Sequence, residues 1–438
     1  MTGSRAARPR TVRFRLANGL SVVLAPQPTS PTVSVWVWYR VGSKNEHPGI
    51  TGASHWVEHM LFQGSPRYAK GEVDRAVVRV GGSLNAFTST DFTAYYTTVP
   101  REHLALPIDI EADRLTKATI ADEEVDRERT VVLSEREGNE NWPEFRAEEE
   151  LYELSFRHHP YRWDALGLRG DIEAMNGTHL RQYYHRFYGP RNATLVVAGG
   201  FDARALRPTI EARFGPLPAT GEDPSVSEVE PAARGERRSA LQGPGTTPFL
   251  TIGYRAPSIF DAATPALLVL DTILGGECRM FGVGAGWGRG REHPNSRLYR
   301  ALVDTGLAVR ATTEWRPRVY PGLFVLEAQA SKGVSLDRLE RAIEQATDRL
   351  AGNGPTSKEI AEARTRIRQG AALAYEGATR TGFRLGLFAT VRSLAFEDEL
   401  LSSVLRVDAT DVRAAARLLF SAERRAVVRY EPTREVAP

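Results

Sequence analysis

The stretch TGASHWVEHMLFQG, residues 51–64, places two of the chain's nine histidines four positions apart. On an α-helix the positions i, i+3 and i+4 share one face, so His55, Glu58 and His59 project together. Two imidazoles one turn apart can bind one Zn²⁺ at about 2.0–2.1 Å, and the carboxylate beside them can act as a general base. A solvated polar helix face is the alternative, but the flanking residues are apolar. The stretch therefore predicts a metal-binding helix.

A third ligand is expected from the segment DEEVDRERTVVLSEREG, residues 122–138. We predict a helix with Asp122 as its N-cap and Gly138 as its end. At about 100° per residue, Glu128 and Glu135 fall on its apolar, inward face, where an unpaired carboxylate is costly. The apolar residues of that face are Val125, Val131 and Val132. A metal would explain both carboxylates, with Glu135 as a ligand and Glu128 as a residue that supports the ligands. The alternative is that both glutamates form salt bridges with arginines.

The composition describes a folded protein and excludes several classes. The chain has 438 residues, 42% hydrophobic and 25% charged, which favours two or more globular domains. The net charge of +3 is too small to indicate nucleic-acid binding, and no apolar run is long enough for a membrane span. The single cysteine, Cys278, excludes an intramolecular disulfide and a cysteine-based zinc cage. Because no signal-peptide pattern is present, we predict a cytoplasmic protein.

The order of predicted elements repeats along the chain. Residues 1–218 alternate strands and helices and hold the histidine motif, residues 219–241 form a polar linker, and residues 242–438 restart the same order. We predict an α+β fold of two similar halves, each a mostly antiparallel sheet packed with helices. The second half has no His-x-x-Glu-His, so the fold itself does not require that motif.

Three segments of the first half resemble a known family of zinc peptidases with an inverted His-x-x-Glu-His motif. They are HWVEHMLFQGSPRY (residues 55–68), GGSLNAFTSTDFTAYY (81–96) and ERTVVLSE (128–135). The family includes pitrilysin, insulin-degrading enzyme and the mitochondrial processing peptidase. The spacing from His59 to Glu135 is similar to that of the processing-peptidase branch. The resemblance covers nearly all of the first half and, more loosely, the second.

The resemblance implies a role for each residue of the motif. It implies one Zn²⁺ per chain, with His55, His59 and Glu135 as ligands. Glu58 would take a proton from zinc-bound water, the hydroxide would attack the scissile carbonyl, and Glu58 would return the proton to the leaving amine. Glu128 would be a second catalytic carboxylate, one that orients the site.

The resemblance also implies where a peptide substrate binds. In such enzymes an extended peptide pairs with a sheet edge near the zinc through backbone hydrogen bonds. Asn85 and Ala86 would lie on that edge, with Phe87 close to the metal. Without the family match, Asn85 would be interpreted as an ordinary turn asparagine.

The second half departs from the family pattern at two positions. Active members carry an arginine and a tyrosine that hold the substrate and stabilise the oxyanion, but the matching residues here are Leu302 and Val309. Losing such donors costs about 10²–10³ in rate. A glycine-rich insertion nearby, residues 275–299, resembles a substrate-handling loop of the non-catalytic processing-peptidase subunit, and a flexible solvated loop is the alternative. The arginines that could replace the missing donors are Arg289, Arg291, Arg297 and Arg310.

Together these inferences predict a zinc metalloendopeptidase that cleaves peptides, with leader or presequence-like peptides as the expectation from the nearest branch. It would be the catalytic subunit of a heterodimer, and a related subunit without zinc would supply the Arg/Tyr pair. A homodimer would lack that pair at both sites. One alternative is a catalytically silent scaffold or assembly subunit of the same fold, and the other is a peptide-binding protein with structural zinc. The complete motif disfavours the first, and Glu58 disfavours the second.

Overall fold

A computed structural model describes residues 9–276 and 292–433. Its strands in chain order are β1 (Val12–Arg15), β2 (Ser21–Pro26), β3 (Thr32–Tyr39), β4 (Ser83–Thr88), β5 (Thr93–Pro100), β6 (Ala193–Gly199), β7 (Arg237–Gly243), β8 (Phe249–Ala256), β9 (Ala308–Trp315), β10 (Gly322–Ala330) and β11 (Arg425–Pro432). Its α-helices are α1 (Ala53–Met60), α2 (Glu72–Arg79), α3 (Ala105–Lys117), α4 (Asp122–Glu140), α5 (Pro143–Ser155), α6 (Arg169–Ala174), α7 (Gly177–Phe187), α8 (Ala203–Phe214), α9 (Thr264–Leu274), α10 (Leu336–Asn353), α11 (Ser357–Leu373), α12 (Gly377–Val391), α13 (Leu394–Val404) and α14 (Ala409–Leu419). Among these described helices, none is both long and apolar enough to cross a membrane.

The described residues form two compact units, and each unit is assembled from separate stretches of the chain. The first unit takes residues 9–138, 163–228 and 374–396, and the second takes the rest. Therefore α5 belongs to the second unit and α12 to the first. The sequence predicts two contiguous halves, residues 1–218 and 242–438, whereas each observed unit combines stretches from both halves. The difference arises because each sheet uses a helix from the other half of the sequence to cover one of its faces.

The sheet of the first unit has six strands in the order β1-β2-β6-β3-β5-β4. β2 and β6 are parallel, and all other neighbouring pairs are antiparallel. β1 and β2 form the hairpin that the sequence predicts around Asn18 and Gly19, where Gly19 has a φ of +98° that favours glycine. β4 lies at one edge, so one side of its backbone has no neighbouring strand among the described residues.

One face of this sheet packs against helices and forms the main apolar core of the unit. The strands contribute buried side chains that include Val33, Val35, Val37, Leu195 and Val197. α1 contributes Trp56, Val57 and Met60 to the same core. Because a helix of eight residues is marginal in isolation, this packing is what keeps α1 folded and fixed against the sheet.

The opposite face of the sheet is covered by α12. There Trp36 and Trp38 stack with ring centroids 5.6 Å apart. The helix passes over them at Gly382 and Gly386, where an added Cβ would lie 2.3 Å and 1.9 Å from the indole atoms. Glycine at these two positions therefore lets α12 lie directly on the tryptophan pair.

The second unit repeats this strand order in a five-stranded sheet, β7-β11-β8-β10-β9. Its one parallel pair is β7 with β11, and the others are antiparallel. The order matches β2-β6-β3-β5-β4 of the first unit strand for strand. α5 packs on this sheet through a core that includes Leu151, Phe249 and Tyr430. The predicted α+β fold of two similar halves is therefore confirmed.

Two predicted element boundaries are wrong. α4 continues to Glu140, because Gly138 lacks the positive φ of a helix-ending glycine. β7 begins at Arg237, inside the predicted linker, because it pairs in parallel with β11. Most of the glycine-rich insertion, residues 277–291, lies outside the described residues.

Candidate metal centre

α1 brings the two predicted histidine ligands together. His55 and His59 stand one helical turn apart, and their Nε2 atoms are 3.2 Å from each other. Their side chains are 10% and 19% exposed, so both rings are largely shielded from water. Two ring nitrogens face each other at this distance only if one carries a proton or a cation lies between them.

α4 adds the third predicted ligand. Glu135 Oε2 lies 3.5 Å from Nε2 of His55 and 3.5 Å from Nε2 of His59. Tetrahedral ligands at about 2.0–2.1 Å from zinc stand about 3.3–3.4 Å from one another, so these three atoms fit one ion of that size. Within the described residues, this is the one group of three or more His, Cys, Asp or Glu side chains arranged to hold a metal.

Glu128 orients His59 within this group. Its Oε1 accepts a hydrogen bond of 2.8 Å from Nδ1 of His59, which directs Nε2 of the same ring toward the other ligands. Gln63 Nε2 donates to the second oxygen of Glu128 at 2.8 Å. Gln63 is not among the predicted site residues, because it lies three residues beyond the end of α1, where the helix pattern of the motif no longer applies.

Glu58 is held from the neighbouring strand. Thr88, the last residue of β4, donates a hydrogen bond of 2.6 Å from its Oγ1 to Glu58 Oε2. Both side chains are buried. Thr88 is not among the predicted site residues either, because its contact depends on which face of the sheet it occupies, and that follows from the pairing of β4 with β5.

The pKa values of the two histidines are shifted in opposite directions. Burial, followed by the proximity of His59, lowers the pKa of His55 to about 4. Burial also acts to lower the pKa of His59, but hydrogen bonds to Glu128 and Glu135 and the charge of Glu58 outweigh it and raise that pKa to about 9. Burial raises the pKa of Glu58 to about 7. The carboxylates around His59 therefore favour positive charge at this place, whether a proton or a metal ion carries it.

The inward face of α4 is narrower than the sequence predicts. Glu128 and Val132 are buried, but Val131 is 49% exposed and the side chain of Glu135 is 42% exposed. Arg136 is buried beside them instead. The buried face of α4 therefore includes Arg136 in place of Val131. Glu135 lies at the border of this face, where it contacts the histidines and is also exposed to solvent.

The predicted position of Phe87 is wrong for its side chain. Its ring packs against Trp36 and Trp38, with centroid distances of 6.3 and 5.6 Å, on the face covered by α12. Successive residues of a strand point to opposite faces, so Thr88, not Phe87, points to the metal centre.

Asn85 and Ala86 lie on the open edge of the sheet. Asn85 is exposed, and the backbone N–H of Ala86 donates to Asn85 Oδ1 at 2.8 Å. This amide therefore points to the free edge of β4, the direction from which an added strand would pair.

The second unit has apolar side chains at the two positions of the expected Arg/Tyr pair. Leu302 is fully buried, and Val309 is 56% exposed on β9. Arg297, a candidate replacement, is engaged by Glu359 in a two-pronged ion pair with N–O distances of 2.8 Å. Two other candidates, Arg289 and Arg291, lie outside the described residues. The last candidate, Arg310, is on β9.

Two similar α+β units, with an inverted His-x-x-Glu-His helix joined by a distant glutamate, define the class of inverted-motif metallopeptidase folds. Residues 21–167 match the family described as insulinase (peptidase family M16), and residues 174–367 match the peptidase M16 inactive domain. Together the two matches cover more than three quarters of the chain. The chain belongs to peptidase family M16.

Several relatives match over almost the whole chain. An uncharacterized zinc protease of Bacillus subtilis (strain 168), YmxG, is 27% identical over 419 residues, which is 93% of this chain and 95% of the relative. The mitochondrial-processing peptidase subunit beta of Blastocladiella emersonii is 27% identical over 412 residues, with 93% and 86% covered. The crystal structure of a protease from Helicobacter pylori has the same fold, with a TM-score of 0.89 at 23% identity and coverage of 97% and 100%.

Proposed function

We propose that this chain is a zinc-dependent endopeptidase. The observation that carries the proposal is the triangle of His55, His59 and Glu135, whose sides measure 3.2, 3.5 and 3.5 Å. A buried carboxylate, Glu58, projects from the same helix. Zinc proteases among the relatives support the choice of metal. When bound, zinc supplies a Lewis acid that activates water and polarises a carbonyl.

Glu58 is the general base in this proposal. Thr88 holds Oε2, and the other oxygen of Glu58 has no hydrogen-bond partner among the described residues, so it can take a proton from the attacking water and deliver it to the leaving amine. Glu128 keeps His59 in its ligating orientation through the 2.8 Å hydrogen bond to Nδ1. The two carboxylates thus have separate tasks, proton transfer and orientation.

The substrate in this proposal is an extended peptide that pairs with β4. The exposed Asn85 and the outward N–H of Ala86 are the groups available on this edge, and Thr88 links the end of the same strand to Glu58. Backbone pairing tolerates varied side chains, which suits a leader or presequence-like peptide. A peptide bound here would replace the internal hydrogen bond between Ala86 and Asn85.

We further propose that the chain works as the catalytic subunit of a heterodimer. Leu302 and Val309 cannot donate hydrogen bonds to a substrate, so a related chain would supply the Arg/Tyr pair. The subunit status of the processing-peptidase relative supports this arrangement. We also propose a cytoplasmic location, which cell fractionation tests.

Two substitutions test the enzymatic proposal. Glu58→Gln should keep the metal and abolish cleavage of quenched fluorescent peptides, because the amide cannot accept the proton. His55→Ala should lose both metal and activity, because it removes a ligand. Metal content measured by mass spectrometry and cleavage rates, with and without a related Arg/Tyr chain, separate these outcomes. Full zinc occupancy in His55→Ala would contradict the assignment of His55 as a zinc ligand.

A silent scaffold of the same fold is the second candidate. The apolar residues at Leu302 and Val309 favour it, whereas the complete ligand set and the base argue against it. A scaffold would show equal, background cleavage for the wild type and Glu58→Gln with every related chain supplied.

A further inference from the structure

The metal-binding helix begins without a cap of its own. α1 has eight residues, and the residue before it, Gly52, has a φ of +89° and no side chain. The first N–H groups of a helix have no acceptor within the helix and need one from elsewhere. The start of α1 is therefore held by groups from other parts of the unit.

Glu46 supplies those acceptors. The backbone N–H of Gly52 donates to its Oε2 at 2.7 Å, and that of Ser54 donates to its Oε1 at 2.8 Å. Glu46 is 3% exposed, so both bonds are shielded from water. Ser54 directly precedes His55, and the contact therefore fixes the backbone one residue before a ligand.

The segment that carries Glu46 also holds the turn after β4. Ser43 N donates to Ser89 O at 3.2 Å, and Lys44 N donates to Thr90 O at 3.0 Å. Ser89 directly follows Thr88, whose hydroxyl binds the base. One short segment, residues 43–46, thus contacts both the helix that carries the metal ligands and the end of the strand that orients the base.

We propose that Glu46 is a positioning residue of the metal centre. It touches neither the metal ligands nor the peptide edge, and it acts through the amides of Gly52 and Ser54. By fixing where α1 starts, it sets the place of His55 in the ligand triangle and the reach of Glu58 to Thr88. The inference rests on the proposed function for its effect on cleavage, but its effect on metal affinity follows from the site alone.

Two substitutions of the full-length chain test the role of Glu46. Burial raises the pKa of Glu46 to about 8, which favours the neutral acid, and Glu46→Gln keeps the size of that side chain without a charge. The glutamine oxygen can accept from one of the two amides, but its NH₂ group faces the other. Glu46→Ala removes both acceptors. We expect zinc affinity, measured by chelator competition, to fall about tenfold or more for Glu46→Ala and less for Glu46→Gln.

Lys44→Met is the matched control. Lys44 lies two residues away, is 5% exposed and donates its Nζ to the carbonyl of Asp91 in the turn after β4. Its loss should weaken the turn and lower the urea midpoint without changing zinc affinity. The absorption spectrum of the cobalt-loaded protein, which reports ligand geometry, should change for the Glu46 variants and not for Lys44→Met.

The readouts separate a positioning role from a merely structural one. The proposal is supported if Glu46→Ala has the lowest zinc affinity and the most altered cobalt spectrum, and Glu46→Gln lies between it and the wild type in both measurements. It is overturned if Glu46→Gln, or a folded Glu46→Ala, keeps the wild-type affinity and spectrum while its urea midpoint falls as in Lys44→Met. Absence of peptide cleavage by the wild type would contradict the proposed function and leave these metal measurements valid.

Discussion

Thr88 donates a 2.6 Å hydrogen bond from its Oγ1 to Glu58 Oε2, so the end of the edge strand holds the carboxylate beside the metal ligands. The strand that would receive a peptide and the group that would move the proton are therefore joined directly. Displacing one of them shifts the other.

Thr88→Val should separate the positioning of Glu58 from metal binding. Valine keeps the shape of the buried side chain but removes the donor, and a hydrogen bond to a charged group contributes about 1.5–3 kcal/mol. We expect kcat to fall about tenfold or more, with KM and zinc content unchanged. Steady-state kinetics with a quenched peptide measure this, and Thr88→Ser, which keeps the hydroxyl, is the control. Wild-type kcat in Thr88→Val would contradict the role of this bond.

Glu128→Gln should weaken metal binding without removing a ligand. The amide oxygen can still accept from Nδ1 of His59, but without the full charge that makes the ring a better ligand. We expect zinc affinity to fall about 10–100-fold, as is usual for such partners of ligating histidines. Chelator competition measures it. Gln63→Met, which removes only the 2.8 Å contact to the far oxygen of Glu128, should have a smaller effect. Equal affinities for all three proteins would contradict the orienting role.

Lys44 should make stability depend on alkaline pH. Burial lowers its pKa from 10.5 to about 8, although the charge of Asp91 opposes this. Above about pH 8 the folded protein releases this proton while the unfolded chain keeps it, so the unfolded state binds more protons and stability rises with pH. Below pH 8 both states are protonated and the effect vanishes.

The comparison with Lys44→Met isolates this titration. Between pH 8 and pH 10 the urea midpoint of the wild type should rise relative to that of the variant, by up to about 1.4 kcal/mol per pH unit in unfolding free energy. A constant difference between the two proteins across this range would show that Lys44 is not buried as a cation.

Gly386→Ala should destabilise the first unit. The added Cβ would lie 1.9 Å from Trp38 Nε1, so α12 or the indole has to move, and such overpacking costs about 1–3 kcal/mol. Gly138→Ala is the control, since it makes the same change in a helix where nothing lies within 4 Å of the new atom. The control should gain up to about 1 kcal/mol from helix propensity. Urea unfolding followed by tryptophan fluorescence compares them, and an unchanged Gly386→Ala would contradict the close packing.

The local parts of the site could be predicted from the sequence. The spacing of His55, Glu58 and His59 on one helix turn is a property of the helix itself, and Glu128 follows from the apolar period of α4. The structure brings Glu135 to the histidines as predicted, but at the border of the buried face. A carboxylate there needs no burial, because a bound metal and solvent would share it.

The parts that depend on tertiary contacts could not be predicted. Thr88 takes the place that was expected for Phe87, because a shift of one residue along a strand reverses the face to which the side chain points. Glu46 reaches the start of α1 from outside the helix, and no helix pattern contains it. The packing of α12 on the first sheet could not be predicted either, because the repeat in the sequence assigns this helix to the second half.

The position of α12 in the sequence has a consequence for biosynthesis. β6, which completes the first sheet, ends at Gly199, but the helix that covers Trp36 and Trp38 ends only at Val391. At about 5–20 residues per second, a ribosome needs roughly 10–40 s to make the intervening chain. During that time the tryptophan face of the nascent sheet stays uncovered and is a natural target for chaperones. A product truncated near residue 218 would keep this face bare, so a fully covered first sheet requires nearly complete translation of the chain.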